Sequence, residues 1–351
     1  NVPMKLIRTV AMLLLMVFFI NISTAQRFRA PVFDALDSIN AIAYGSAINI
    51  KGNSESLLMD LIFPQGDTMK KRPLVIFIHG GGFQNNSRKG SYSAMVCQGF
   101  AKRGYVTATI DYRLGIENQK SNDDYANALY RAQQDGRAAI RFLKKHAAQY
   151  GIDTNQVFLT GSSAGSKTAL AIAYMDEAEL PAGINTEKWG PLEGAGDREG
   201  FSSKVHGVLN AWGAMIDFNW IKKGDAPLFN TSGTMDKTVA FDSSFGYHGF
   251  KYGGYILYQH CLSLGIPTAW RPFYGAGHTL DNDKIKQDSC FQSMVEWLYP
   301  LLATNPSKIT KLAIDNNIQF QRDENLWRSR SISLLYRRAA HWRGIGNLLS
   351  F

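Results

Sequence analysis

Val157-Phe158-Leu159-Thr160-Gly161-Ser162-Ser163-Ala164-Gly165-Ser166 runs from a short apolar stretch straight into a glycine-flanked serine, and the alanine-rich segment Ser166 to Met175 follows. Strand, sharp turn and helix in that order hold a serine hydroxyl proud of a parallel sheet. Small residues are needed on both sides because the turn is tight and strained. Ser163, not Ser162, is central in Gly-x-Ser-x-Gly and is the candidate nucleophile. The motif alone is a weak signal, because a plain loop can carry the same residues. Its surroundings decide the reading.

Upstream, Leu57 to Phe63 reads as a strand, and Leu74 to Ile78 is a continuous apolar run of the kind buried on both faces of a sheet. His79-Gly80-Gly81-Gly82-Phe83 breaks that run. Helical spacing marks Ser91 to Lys102, a buried strand Tyr105 to Ile110, and a helix Asn122 to Gln149. Downstream, Val205 to Ala211, Leu228 to Ser232 and Thr268 to Phe273 are expected strands, with helices at Gly246 to Leu264 and Lys284 to Leu302. The alternation predicts an α/β fold whose mostly parallel central sheet has helices on both faces. Asp176 to Ser203, rich in Gly, Pro and charge, is expected to be a long surface excursion able to form a partial lid.

The chain of 351 residues has ample apolar content for a large core. Three parts are expected: a signal peptide over 1–25, a catalytic domain over 26–302 and a basic tail over 303–351. Lys5 and Arg8 precede the apolar run Val10 to Ile20, which ends in Ser23-Thr24-Ala25. That run is short of the roughly 20 residues of a membrane span, so cleavage after Ala25 and a secreted or periplasmic protein without a membrane anchor are expected. The formal charge is +9, yet eight basic and only three acidic side chains follow Ala303, so more than half the excess belongs to the tail. A nucleic-acid partner is not expected from a nearly balanced body. In an oxidising compartment one disulfide, Cys261–Cys290, is expected, with Cys97 a buried free thiol; three unpaired core cysteines are the alternative.

The glycine run after Ile78 turns its backbone inward, and the N–H groups of Gly81, Gly82 and Ala164 are the expected oxyanion donors, each worth roughly 3 kcal/mol. His79 begins that loop and is expected to hold it. The base should follow the acid in the chain, and His278, in Gly275-Ala276-Gly277-His278-Thr279 after the last strand, qualifies. Asp236, in Gly233-Thr234-Met235-Asp236, is the expected acid, with Asp242 and then Asp217 behind it. Phe83, Trp189, Trp212, Phe241 and Tyr247 are candidate pocket residues, although large aromatics more often belong to a core. No metal or other cofactor is called for.

Together these residues resemble the α/β-hydrolase superfamily, and within it the carboxylesterases and hormone-sensitive-lipase-like esterases that carry His-Gly-Gly-Gly before the serine turn. The resemblance spans about Leu57 to Leu302. Asp111-Tyr112-Arg113-Leu114 resembles the family's Asp-Tyr-Arg segment, and Asp135 matches a structural position. What the resemblance implies is hydrolysis of small-molecule or polymer-linked carboxylic esters, including short-chain acyl or aryl esters, by an acyl-enzyme route. Ser162 stands where hormone-sensitive-lipase relatives carry Asp, which turns the comparison toward secreted esterases of feruloyl or acetyl groups on plant polysaccharides. A catalytically silent binding module is the alternative from another class, but such relatives lose a member of the Ser, Asp, His set.

Overall fold

The computed structural model describes residues 27–194, 200–246 and 249–302. The chain divides into two units, Asn1–Leu302 and Ala303–Phe351, and all described residues belong to the first. The expected signal peptide and the basic tail lie outside the described residues, as does Tyr247.

Eight strands form the main sheet. They are β1 (Leu36–Ile48), β2 (Ser54–Pro64), β3 (Arg72–Ile78), β4 (Val106–Ile110), β5 (Ile152–Ser162), β6 (Gly207–Ala211), β8 (Leu228–Gly233) and β11 (Thr268–Phe273). Their spatial order is β1-β2-β4-β3-β5-β6-β8-β11. β1 and β2 pair antiparallel, as do β2 and β4, and every later pairing is parallel. A smaller sheet joins β7 (Ala214–Met215), β9 (Ser243–Gly246) and β10 (Gly249–Gly253).

Successive side chains of a strand face opposite ways, and the central strands serve two cores at once. Leu74, Ile76 and Ile78 of β3 join one apolar cluster, Val75 and Phe77 the other. Phe158 of β5 faces away from Val157 and Leu159 in the same manner. Helices α2 (Asn122–Lys145), α3 (Ala164–Tyr174) and α4 (Gly254–Ser263) close the first cluster; α1 (Ser91–Ala101) and α5 (Lys284–Leu298) close the second. Continuous burial of β3 therefore follows from coverage on both faces.

Chain order reverses at β3: the chain crosses to β4 on one side, and β5 pairs on the other. At such a switch point the loops leaving neighbouring strands diverge and open a crevice at their carboxyl ends. The glycine run after Ile78 and the turn at Ser163 are those two loops.

Three expectations are corrected. All three cysteines are buried free thiols. Cys261 on α4 and Cys290 on α5 belong to the two different clusters, so the sheet lies between them and they cannot pair. Gly249–Gly253, inside the stretch Gly246 to Leu264 expected as helix, forms β10, because it pairs with β9 and with β7, a partner that sequence periodicity cannot reveal; Gly254–Ser263 of that stretch is helical as expected. The excursion after Met175 is no lid in its described part. Asn185 N–H donates to Asn127, Gln134 donates to the carbonyls of Trp189 and Pro191, and Glu193 pairs with Arg137 and Arg141, which pins the segment along α2.

Candidate active site

Ser163 sits between the end of β5 and the start of α3 with φ 53° and ψ −115°. That backbone is costly for a residue with a side chain and persists only where its surroundings enforce it. Ser163 N–H donates to the Ala211 carbonyl at 3.1 Å, and Ser166 Oγ donates to the Gly161 carbonyl at 2.7 Å. A methyl group on Gly165 would lie 1.9 Å from the Ile78 carbonyl oxygen, and one on Gly161 2.7 Å from the same atom. Glycine at both positions lets α3 start against β3.

His278 follows β11 across the turn that begins at Tyr274. Its Nε2 stands 3.0 Å from Ser163 Oγ and its Nδ1 2.7 Å from Asp236 Oδ2. The other oxygen of Asp236 accepts the N–H groups of Thr238 and Val239 at 2.8 and 2.9 Å. Asp236 is buried and His278 only partly so, so the carboxylate is held in place while the imidazole keeps access to the crevice. Thr279, Leu280, Asp281 and Asn282, just after the histidine, all have φ between 54° and 61°. This left-handed turn is closed by Gly277 N–H on Asp281 Oδ1 at 2.8 Å and anchored by fully buried Leu280. The alternative acids stand elsewhere. Asp217 caps a short helical turn through Asn219 N–H, and Asp242 is engaged through its carbonyl by Gly253 N–H.

Gly81 and Gly82 have φ of 111° and 62°, and a methyl at Gly81 would meet the Asn85 carbonyl at 2.1 Å. A methyl at Gly80 would reach within 3.4 Å of Ser163 Cβ, which measures how closely this loop passes the serine. Ala164 is the first residue of α3, where a backbone N–H has no acceptor within the helix. Among the described residues, the N–H groups of Gly81, Gly82 and Ala164 bond to no other protein group. His79 stacks on Tyr112 at 4.4 Å and directs Nδ1 to the Gly80 carbonyl, while the Tyr112 hydroxyl donates to the His79 carbonyl. Burial pushes the His79 pKa down, so the ring stays neutral and holds the loop. Next to Tyr112, Arg113 pairs with the buried Asp135 at 2.7 Å, a contact made in the interior.

The aromatic candidates separate. Phe83 is fully buried and meets Tyr125 edge-on at 5.3 Å. Trp212 packs against Tyr92, and Trp189 lies under the Arg131 guanidinium beside α2, in core settings. Phe241 stacks on Trp270 at 5.9 Å and remains partly exposed. Sequence reasoning passed over Lys167, one turn into α3, whose ammonium donates to the Tyr125 hydroxyl at 2.8 Å. Its only signal was a lysine within a run of Ala, Leu and Ile.

The arrangement has the parts of acyl transfer: a hydroxyl, an imidazole able to take its proton, a carboxylate on the far ring nitrogen, and free N–H groups nearby. Residues 59–223 match the family described as BD-FAE. Gut esterase 1 of Caenorhabditis elegans is 30% identical over 116 residues, which cover 32% of this chain and 20% of that protein. The para-nitrobenzyl esterase of Bacillus subtilis is 27% identical over 172 residues, 44% of this chain and 34% of that protein. Neuroligin-like protein glit-1 of C. elegans is 36% identical over 94 residues, 27% of this chain and 12% of that protein. The matches thus span between about an eighth and about a third of these relatives' own length. Among solved structures, the propionate-bound esterase of Thermogutta terrifontis superposes with a TM-score of 0.55 at 20% identity, covering 74% of this chain and 93% of that one. A truncated carbohydrate esterase from gut microbiota gives 0.56 at 17% identity, covering 76% and 96%. The chain has the α/β-hydrolase fold.

Proposed function

We propose that this protein is a serine esterase that hydrolyses carboxylic esters through an acyl-enzyme. The hydrogen-bonded line from Asp236 through His278 to Ser163 carries the reading. Ser163 Oγ attacks the ester carbonyl carbon as its proton passes to His278 Nε2. Asp236 keeps the other imidazole proton on Nδ1 and stabilises the imidazolium. Charge developing on the carbonyl oxygen is met by the N–H groups of Gly81, Gly82 and Ala164. The imidazolium then returns its proton to the leaving alkoxide, and water, deprotonated by the same ring, releases the acid and frees the serine.

The esterase relatives and the esterase structures of the same fold support this reading over that of a silent binding module. For the substrate, the likeness to a carbohydrate esterase supports acyl groups carried on carbohydrate, and the apolar run ending in Ser23-Thr24-Ala25 supports action outside the cell. The test is rapid-mixing kinetics with p-nitrophenyl acetate. A burst of nitrophenol stoichiometric with enzyme, followed by slower turnover and abolished by Ser163→Ala, is expected. Equal inactivity of wild type and Ser163→Ala on acetyl, butyryl, acetyl-sugar and feruloyl esters would overturn the proposal.

A further inference from the structure

Lys167 follows Ser163 by four residues, about 6 Å along the helix, on the side of α3 that the serine shares. Its Nζ lies 2.8 Å from the Tyr125 hydroxyl and 5.4 Å from the centre of that ring. Those distances place the ammonium beyond the hydroxyl, nearly in line with the C–O bond, and not over the ring face. Lys251, from β10, brings a second ammonium within 5.3 Å of the same ring. Tyr125 in turn packs on Phe83, next to the glycine loop that passes the serine. Three separate elements thus converge two cations beside the crevice.

Among the described residues no carboxylate lies within ion-pairing distance of either lysine. Other well-covered cations have anionic or carbonyl partners: Arg88 pairs with Asp60, Arg113 with Asp135, and Arg137 and Arg141 with Glu193, while Arg131 donates to the Gly115 carbonyl and Lys144 to those of Ser202 and Lys204. Lys167 instead meets the neutral Tyr125 hydroxyl. Lys167 is deeply embedded yet keeps part of its surface open, as a side chain on the floor of a recess does. Burial pushes its pKa down to about 8, and burial followed by the charge of Lys167 lowers that of Lys251. Lys167 is still mainly cationic at neutral pH, and two ammonium groups held together with little water are stabilised by an incoming anion.

We infer that Lys167 and Lys251 form an anion subsite of the active-site crevice, and that the preferred substrate is an ester carrying a second, ionised carboxylate. A monoester of a dicarboxylic acid, or a uronic or hydroxybenzoic acid acylated on a hydroxyl with its carboxylate free, has that chemistry. The inference rests on the esterase reading above, and its test separates the two.

The experiment measures kcat/KM at neutral pH for two matched pairs. One pair is p-nitrophenyl hydrogen glutarate against p-nitrophenyl methyl glutarate, with the carboxylate on the acyl side. The other is p-acetoxybenzoate against its methyl ester, with the carboxylate on the alcohol side. Wild type is expected to prefer the anionic member of one pair, and the pair that shows it tells which side of the scissile bond meets the lysines. In Lys167→Met and in Lys251→Met that ratio should fall by about tenfold, and Lys251→Arg should restore most of it. Because the ratio is internal to each variant, it is independent of any general loss of activity. If Lys167→Met does not fold, Lys251→Met and its Arg counterpart carry the test. Turnover without anion preference in either pair, or a preference unchanged by both Met variants, as expected of lysines that merely balance Asp236, overturns this inference alone. No Ser163-dependent turnover of any of the four esters overturns the esterase reading and this inference together.

Discussion

His278 Nε2 lies 3.0 Å from Ser163 Oγ, although 115 positions separate the two residues in the chain. The contact depends on the ring nitrogen facing the serine being the unprotonated one, and Asp236 enforces that by holding Nδ1 at 2.7 Å. Asp236→Asn keeps the shape of the side chain and allows the wrong tautomer. It is expected to lower kcat about ten-thousandfold with little change in melting temperature. A kcat within tenfold of wild type on p-nitrophenyl acetate would remove Asp236 from the role.

The left-handed turn after His278 is a positioning device. Asp281→Ala removes the acceptor of Gly277 N–H and leaves an alanine at φ 61°, where Asp and Asn are better tolerated. About a tenfold loss in kcat at unchanged KM is expected, with Asp281→Asn close to wild type. Equal effects of the two substitutions would count against this role.

Gly165→Ala places a methyl 1.9 Å from the Ile78 carbonyl oxygen, and backbone on both sides leaves no flexible atom to yield. A loss of about 3 kcal/mol or more in urea unfolding is expected. Gly275→Ala, at φ 73° with nothing within 4 Å, should cost only about 1 kcal/mol. Comparable losses at the two sites would show that the close approach of α3 to β3 is not what requires glycine.

Asp135 receives the Arg113 backbone N–H at 2.8 Å and its guanidinium at 2.7 Å, both residues being buried. Asp135→Ala strands the guanidinium and is expected to destabilise the protein by about 3–5 kcal/mol. The double replacement Arg113→Met/Asp135→Leu should recover a large part of this in urea titrations. If the double variant is no more stable than Asp135→Ala, the cost is not that of an orphaned charge.

Burial pushes the thiols of Cys97, Cys261 and Cys290 up from 9.0 to about 12. Ionised thiols are therefore favoured in the unfolded chain, and the stability these groups contribute is complete below pH 9 and lost as pH rises from 9 toward 12. The melting temperature should fall less steeply across that window in Cys97→Ala/Cys290→Ala than in wild type. Ellman's reagent at about pH 8 should find no thiol in the folded protein and three after denaturation. One titratable thiol in denaturant would indicate a disulfide after all.

Much of the architecture was legible because it is locally encoded. A buried parallel strand has to be apolar along its whole length, so β3, β4 and β5 announced themselves, and a tight turn has to be glycine-flanked, so Ser163 stood out. Asp236 and His278 were legible for a related reason: each follows a strand of a sheet whose functional loops gather at one edge. β1 was passed over because bulges near Ile39 and Ala43 break its alternation. Strand β10 was read as part of a helix because its partner strand β7 lies nearly forty residues upstream.

Composition and spacing thus marked the layered fold and pointed to Ser163, Asp236 and His278, each tied to a strand end, and the tertiary structure brings the three into one hydrogen-bonded line. Tertiary structure alone decided that the cysteines stay apart and that the excursion clamps α2. It also decided that Lys167, Lys251 and Tyr125 meet. Which faces of a sheet two helices cover, and which side chains from α3, β10 and α2 converge, depends on packing between elements distant in the chain, and no local periodicity records that.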